Sequence, residues 1–179
     1  PIYYQVCKDL IEEVCDIFKP RYFHLGMDEE NYDLEKTYDY VVLRQNELWW
    51  HDLLWFVKTV ESAGMRPWLW SDVCWKHWDE FAKRMPRSVM QSNWYYGDFT
   101  DSSVSADSYE KLDRAGFDQM PTGSNWAKDE NFSLTVKHCR EKVSAERLKG
   151  FVMAPWPPTV PQPPASARNC MSTSRRTES

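Results

Sequence analysis

The chain has 179 residues, enough for one domain with a hydrophobic core but fewer than the roughly 250 residues of a complete eight-stranded α/β barrel. Its net charge of -5 argues against a nucleic-acid surface, because phosphate binding needs a clustered excess of Lys and Arg. No apolar run approaches the roughly 20 residues that cross a bilayer, so we expect neither a nucleic-acid partner nor a membrane.

The first predicted element is an amphipathic helix over residues 3–19. Apolar residues recur along one stripe, charged residues lie opposite, and Pro20 ends the segment. The short apolar run at residues 22–26 then predicts a buried strand with a loop at its carboxyl end. A second long helix is expected over residues 47–63, with Gly64 as its C-cap.

The same alternation continues along the chain. Strands are expected over residues 66–71, 88–93, 117–121 and 151–155, and helices over residues 75–83, 105–115 and 129–148. Strands that alternate with helices form right-handed βαβ units and a parallel sheet, so the predicted fold class is α/β. Periodicity alone leaves a doubly wound sheet and a closed barrel open.

The two ends of the chain differ from its middle. The stretch 157–179 is rich in Pro, Ser and Arg without periodicity, and we expect a disordered tail or the product of a truncated or frame-shifted reading frame. The domain is therefore expected over residues 1–156. No signal peptide is visible at the start, and we expect a soluble protein whose true amino terminus is missing, in a compartment that stays unknown.

The five cysteines are odd in number and lack the spacing of a disulfide framework or a zinc knuckle. Reduced, mostly buried thiols are expected. The His residues are scattered without ligand spacing, so neither a metal site nor a cofactor is predicted.

Acidic or aromatic side chains follow every predicted strand. They are Asp28, Glu29 and Glu30 after the first, Trp70 and Asp72 after the second, Trp94, Tyr95 and Tyr96 after the third, Trp126 after the fourth, and Trp156 after the fifth. Parallel sheets bind ligands at the carboxyl ends of their strands. Aromatic rings suit the faces of sugars and carboxylates suit proton transfer, so a carbohydrate is the expected partner.

The other Trp residues lie within or beside predicted helices, where packing is the better interpretation. They are Trp49, Trp50, Trp55, Trp75 and Trp78. We therefore leave them out of the predicted site.

One segment resembles a known motif. His24-Leu25-Gly26-Met27-Asp28-Glu29 is similar to the His-x-Gly-Gly-Asp-Glu motif of glycoside hydrolase family 20, the β-N-acetylhexosaminidases, with Met27 in place of the second Gly. In that family the motif ends the fourth barrel strand. The later segments resemble the family's strands five to eight in order, through Trp70 with Asp72, Trp94, Trp126 and Trp156. The resemblance implies an incomplete (β/α)8 TIM barrel that holds strands four to eight.

The resemblance also implies a substrate-assisted, retaining hydrolysis of terminal β-linked N-acetylhexosamine. Glu29 would be the general acid and base, and Asp28 would stabilise the acetamido group of the substrate. The implied substrate-binding residues are His24, Trp70, Asp72, Trp94, Tyr95, Trp126 and Trp156, with Tyr96 as an alternative to Tyr95.

Other interpretations remain open at this point. Asp28, Glu29 and Glu30 suit a solvated cluster at a helix start, and Asp72 suits an N-cap. A barrel that binds carbohydrate without catalysis is a second possibility. A retaining glycosidase of another family is a third, with Asp72 as a nucleophile roughly 5 to 5.5 Å from the acid.

Overall fold

The structure, a computed structural model, describes residues 2–29, 44–100 and 102–156. Its elements, in chain order, are α1 (Ile2–Phe18), β1 (Tyr22–His24), α2 (Glu47–Ser62), β2 (Arg66–Trp70), α3 (Val73–Lys76), α4 (Trp78–Arg84), β3 (Met90–Ser92), α5 (Val104–Arg114), β4 (Thr122–Gly123), α6 (Asn131–Lys142) and β5 (Val152–Met153). The predicted α/β class is confirmed. The predicted tail and Glu30 lie outside the described residues.

The strands run parallel and are arranged in space in the order of the sequence. β1, β2 and β3 form a three-stranded sheet, and β4 pairs with β5. Parallel bridges from Gln91 to Gln119 and from Trp94 to Thr122 continue the ladder from β3 to β4. A doubly wound sheet reverses its strand order at a switch point, and the strands in the described ranges contain no reversal. All five carboxyl ends therefore lie along one rim.

Several helix ends lie where sequence chemistry predicts them. Gly64 and Gly116 adopt the left-handed conformation just after α2 and α5, with φ of 81° and 79°, and such a residue ends many helices. The Ser103 hydroxyl accepts a hydrogen bond from the Ala106 amide at 3.0 Å and caps α5. Within the described ranges, no helix is long and apolar enough to span a bilayer.

Two predicted helix boundaries are wrong. The helix expected over residues 75–83 is divided between α3 and α4, because His77 leaves the helical region with φ of -126° and ψ of 44°. The helix expected to continue to residue 148 ends at Lys142. Val143 is extended there and its side chain is buried, so local burial overrides the helical pattern.

The fourth strand is also displaced from its prediction. The expected strand covered residues 117–121, but the ladder runs through Thr122 and Gly123 of β4, and Gln119 contributes only single bridges. Phe117 is fully buried in the core, where its ring lies 5.5 Å from that of Phe81. The apolar character that predicted a strand there reflects core packing.

The main core lies between the sheet and the helices that cover it. Its fully buried members include Leu53 of α2, Leu69 of β2, Phe81 of α4, and Val89 and Phe117. Trp49 and Trp50 of α2 are buried with them, as predicted for helical Trp residues.

Helix α1 buries only part of its apolar surface. Ile11 and Cys15 pack against Val60 of α2. Other apolar side chains of the same helix remain 37% to 72% exposed, namely Val6, Leu10, Val14, Ile17 and Phe18. β1, which follows α1, lies at an edge of the three-stranded sheet. The predicted amphipathic helix is therefore present, but only part of its apolar stripe is buried in the described part of the chain.

Two adjacent leucines of α2 provide a test of this core. Leu53 is fully buried and Leu54 is 41% exposed. We expect Leu53→Ala to lower the free energy of unfolding by about 2 to 5 kcal/mol, because it removes buried methyl groups and leaves a cavity. Leu54→Ala is the matched control, and we expect a loss below about 1 kcal/mol. Equal losses in urea denaturation would contradict this packing.

Candidate active site

The turn after β1 carries two adjacent carboxylates on a strained backbone. Gly26, Met27 and Glu29 have φ values of 74°, 71° and 53°, in the left-handed region. Gly adopts this region freely, whereas other residues lose roughly 1 to 2 kcal/mol each. Asp28 and Glu29 are therefore presented by a turn that the surrounding structure must hold in place.

Hydrogen bonds from two strands hold this turn. The Glu29 amide donates to Asp72 Oδ2 at 3.0 Å, and the Gly26 amide donates to His24 Nδ1 at 3.0 Å. The Trp70 amide donates to the Gly26 carbonyl at 3.1 Å. Asp72 precedes α3 in the N-cap position, but its side chain makes no capping bond to that helix. Its carboxylate supports the turn after β1 instead.

Burial dominates the electrostatics of the groups beneath the turn. It raises the pKa of Asp72 to about 6, and the nearby charges of Asp28 and Glu29 act in the same direction while the hydrogen bond from the Glu29 amide opposes it. Burial also raises the pKa of Asp28 and lowers that of His24 to about 4. His24 is therefore neutral at pH 7.

The neutral His24 ring lies between aromatic side chains of β2. Its Nδ1 accepts the Gly26 hydrogen bond, which leaves the proton on Nε2. His24 pairs with Trp68 in the ladder, and its ring centroid lies 4.5 Å from that of Trp68 and 4.6 Å from that of Trp70. His24 thus packs against both Trp rings and also supports the turn through the hydrogen bond from the Gly26 amide.

An open cavity of about 440 Å³ lies at the carboxyl ends of the strands. Its volume falls within the roughly 300 to 1,000 Å³ of small-molecule sites. The lining residues are two carboxylates and five aromatic side chains, namely Asp28, Glu29, Trp70, Trp94, Tyr96, Trp126 and Trp156. Such a set offers flat apolar faces for a ligand and acidic groups at one side.

Tyr96 connects the aromatic walls of this cavity. Its ring stacks on Trp94 at 5.3 Å and meets Trp126 edge-on at 6.3 Å. Its hydroxyl accepts a hydrogen bond from Trp156 Nε1 at 2.8 Å. The ring of Trp156 lies 6.4 Å from that of Trp70. Burial raises the pKa of Tyr96, so its hydroxyl keeps its proton at neutral pH and remains a donor.

The structure brings together most of the residues that the sequence singled out. Six of them line the cavity, namely Asp28, Glu29, Trp70, Trp94, Trp126 and Trp156. His24 and Asp72 lie beside it and contact its lining residues.

Tyr95 is not brought to this cavity. Its ring packs on Phe99 at 4.9 Å and joins the buried cluster that contains Tyr109. Tyr96, which the sequence offered only as an alternative, lines the cavity instead. Alternation along an extended segment puts Trp94 and Tyr96 on one side and Tyr95 on the other, and this spacing was the available signal.

The loop that carries Tyr96 is tied to the start of α6. Asn131 is fully buried, and its Nδ2 donates to the carbonyls of Tyr95 at 3.0 Å and of Gly97 at 2.7 Å. Lys128 pairs with Asp98 at 2.7 Å across the same loop. These bonds fix the backbone on both sides of Tyr96.

A larger groove of about 570 Å³ lies elsewhere, between α1 and α2. Its lining includes five charged side chains, namely Lys8, Glu12, Asp16, Lys19 and Lys58, and a single aromatic ring, Trp55. This groove lacks convergent aromatic walls, so the smaller cavity is the better candidate. Among residues 2–29, 44–100 and 102–156, no three His, Cys, Asp or Glu side chains are grouped to hold a metal ion.

The fold of this chain is similar to part of a solved structure. The chain is similar to the structure of the GH20 beta-N-acetylhexosaminidase from Streptomyces coelicolor A3(2), with a TM-score of 0.50 and 16% sequence identity. The match covers 86% of this chain and 31% of that one, so the chain spans about a third of its neighbour's length. Likeness at this identity concerns the fold alone. No family model and no curated protein matches the chain.

The raised pKa of the buried Asp72 leads to a prediction of how the stability of the fold depends on pH. Its pKa is raised from 3.8 to about 6, so the stability that this shift contributes is complete below about pH 4 and is lost as the pH rises through 6. The lowered pKa of His24 has the opposite effect, which is complete above pH 6.5 and lost as the pH falls through about 4. The two contributions oppose each other between pH 4 and 6.

We expect Asp72→Asn to remove the pH-dependent contribution of Asp72 to stability and to keep that of His24. The difference in unfolding free energy between wild type and Asp72→Asn should fall by on the order of 2 to 3 kcal/mol as the pH rises from 4 to 7. Urea denaturation of both proteins across this range measures the difference. Parallel stability curves would contradict a buried, elevated Asp72.

Proposed function

We propose that the protein is a glycoside hydrolase that removes terminal β-linked N-acetylhexosamine by a substrate-assisted, retaining mechanism. The observation that carries this proposal is the cavity itself, in which the adjacent carboxylates Asp28 and Glu29 adjoin five aromatic side chains. The motif around these carboxylates resembles that of the β-N-acetylhexosaminidases, and the fold likeness to one of them adds support.

We infer further that residues 1–156 form an incomplete (β/α)8 barrel in which β1 to β5 are strands four to eight. Three observations support this inference: the parallel pairing, the sequential strand order and the single rim of carboxyl ends. The catalytic residues of such barrels lie on that rim. In the described part of the chain, β1 has one unpaired edge and α1 has an exposed apolar face, and these are the surfaces on which further barrel units would pack.

Glu29 is the proposed general acid and base. In the first step its carboxyl proton passes to the glycosidic oxygen, and the bond from the anomeric carbon to that oxygen breaks as the acetamido carbonyl oxygen bonds to the same carbon. In the second step the Glu29 carboxylate takes a proton from water, whose oxygen displaces the acetamido oxygen. Two inversions leave the anomeric configuration retained.

Asp28 is proposed to hold the acetamido group in position for attack. Its carboxylate accepts the acetamido N–H and stabilises the positive charge that develops as the carbonyl oxygen bonds to carbon. The partly buried position of Asp28 strengthens this interaction, because charges interact more strongly away from water.

The position of Asp72 favours this mechanism over one with a protein nucleophile. Asp72 does not line the aromatic cavity, and its Oδ2 accepts a hydrogen bond from the Glu29 amide. A group that supports the general acid through its backbone is poorly placed to attack the sugar. The acetamido oxygen of the substrate is the nucleophile that remains.

Glu29→Gln tests the proposal most directly. We expect the full-length protein to release nitrophenol from an aryl N-acetyl-β-glucosaminide but not from the matching glucoside, which lacks the internal nucleophile. Glu29→Gln should lower kcat by about 10² to 10⁴, and Asp28→Asn should also lower it. Glu61→Gln, on the exposed surface of α2, is the control and should leave kcat unchanged.

Absence of turnover on both substrates by the folded protein would overturn the enzymatic proposal. Binding of the acetamido sugar without turnover would then favour a barrel that only binds carbohydrate. The left-handed Met27, at the position where the family motif has Gly, is the feature that favours this second candidate.

Two adjacent tyrosines test the aromatic walls. Tyr96→Phe removes the hydroxyl that accepts from Trp156, so we expect KM for the aryl N-acetyl-β-glucosaminide to rise about threefold to tenfold. Tyr95→Phe is the matched control, since the Tyr95 ring packs in the buried cluster, and KM should stay within about twofold. Steady-state kinetics measures both, and equal effects would contradict the assignment of Tyr96.

A further inference from the structure

Met27 has a backbone conformation that its side chain disfavours. Its φ of 71° lies in the left-handed region, where the Cβ atom comes too close to the following carbonyl oxygen. The preceding Gly26 takes the same region at 74° without this penalty, because glycine has no Cβ. A disfavoured conformation persists only where the surrounding structure holds it. The contacts of Met27 must therefore contribute to the stability of the turn.

The side chain of Met27 makes its contacts with the interior of the protein. It is half-buried and packs against the main core. It also lines a small cavity of about 200 Å³ together with Trp49, which is 5% exposed, and Trp75. Burial of apolar surface is favourable, and the unbranched thioether of Met adapts to irregular gaps beside aromatic rings. The core thus holds the Met27 side chain while its backbone stays in the left-handed region.

We propose that Met27 is a positioning residue, whose side chain anchors the turn to the main core and thereby fixes where Asp28 and Glu29 point. The inference rests on the proposed function, in which these two carboxylates perform the hydrolysis. Met27 directly precedes Asp28, so a rotation of its backbone would redirect both carboxylates. Displacing a reacting group by about 1 Å can lower a rate about a hundredfold. The anchor therefore acts on catalysis although Met27 takes no part in proton transfer.

The anchor complements the hydrogen bonds of the turn. The Glu29 amide donates to Asp72 Oδ2, and the Trp70 amide donates to the Gly26 carbonyl. These bonds hold the residues on either side of Met27, and both join the turn to the end of β2. The bond to Asp72 weakens when that carboxylate takes up a proton, because charged acceptors form the stronger bonds. The apolar packing of Met27 carries no charge, so it holds the turn whether or not Asp72 is ionised.

Three substitutions separate the anchor from the backbone penalty. Met27→Leu keeps an apolar side chain of similar volume, Met27→Ala keeps the Cβ but removes the anchor, and Met27→Gly removes both. We expect kcat for the aryl N-acetyl-β-glucosaminide to stay within about twofold in Met27→Leu and to fall about tenfold to a hundredfold in Met27→Ala. Met27→Gly should lie between them, because it loses the penalty together with the anchor. KM should change less than kcat, since the aromatic walls are untouched.

Met65→Ala is the matched control. Met65 is also half-buried, but it packs against the smaller cluster of Ile11, Cys15 and Val60. We expect Met65→Ala and Met27→Ala both to lower the midpoint of urea unfolding, and only Met27→Ala to lower kcat. Equal kcat in Met27→Ala and Met27→Leu, or the same loss of kcat in Met65→Ala, would overturn the anchor.

Hydrogen exchange of the Glu29 amide tests the anchor independently of turnover. The hydrogen bond to Asp72 protects this amide, and a loosened turn exposes it. We expect the amide to exchange about threefold to tenfold faster in Met27→Ala than in wild type or Met27→Leu. Faster exchange without turnover by the wild type would overturn the hydrolase and keep the anchor. Equal exchange in all three proteins would overturn the anchor, and turnover by the wild type would then leave the hydrolase standing.

Discussion

The hydrogen bond from the Glu29 amide to the Asp72 carboxylate is the interaction on which the site depends most. Two residues of the turn after β1, Met27 and Glu29, adopt a backbone conformation that side chains disfavour. The compensating acceptor comes from the end of the neighbouring strand rather than from the turn itself. The geometry of the adjacent carboxylates Asp28 and Glu29 is thus a property of two adjacent strands, and a change in their pairing would alter the candidate site.

The same arrangement explains why a buried carboxylate is tolerated beneath the site. Burying Asp72 disfavours its charge, and the charges of Asp28 and Glu29 add to that cost. The hydrogen bond from the Glu29 amide offsets part of this cost by stabilising the charged form of Asp72, and the neutral His24 adds no further charge. Three carboxylates therefore share a small region because one of them is held by a backbone dipole.

Much of the fold could be predicted because the helices have amphipathic faces and the strands are short buried runs that end in loops. Gly64 ended its helix as predicted, since few other residues adopt the conformation required there. The break at His77 and the early end at Lys142 could not be predicted, because both depend on which neighbours become buried in the assembled core. Local propensity does not contain that information.

For the candidate site, the sequence indicated the strand ends but not which side chain of each loop would turn inward. Trp94 and Trp156 were suggested by their place after a strand, and both line the cavity. Tyr96 was only an alternative to Tyr95, because the resemblance did not separate two adjacent tyrosines; the alternation from Trp94 was the signal that favours Tyr96. The hydrogen bonds of Asn131 to the loop carbonyls hold the observed arrangement, and those bonds join segments more than thirty residues apart. The apolar stripe of α1 is a similar case, since periodicity identifies an apolar face but not its partner.

The face of α1 that is exposed among the described residues has a consequence for the behaviour of the chain in solution. The exposed aliphatic and aromatic side chains along this helix of 17 residues form an apolar patch, and exposed apolar patches mark sites of association. Hydrophobic attraction weakens on cooling, so clustering of molecules through this patch is favoured by warming and by high concentration. Warming a concentrated sample of this chain is therefore expected to favour association through α1.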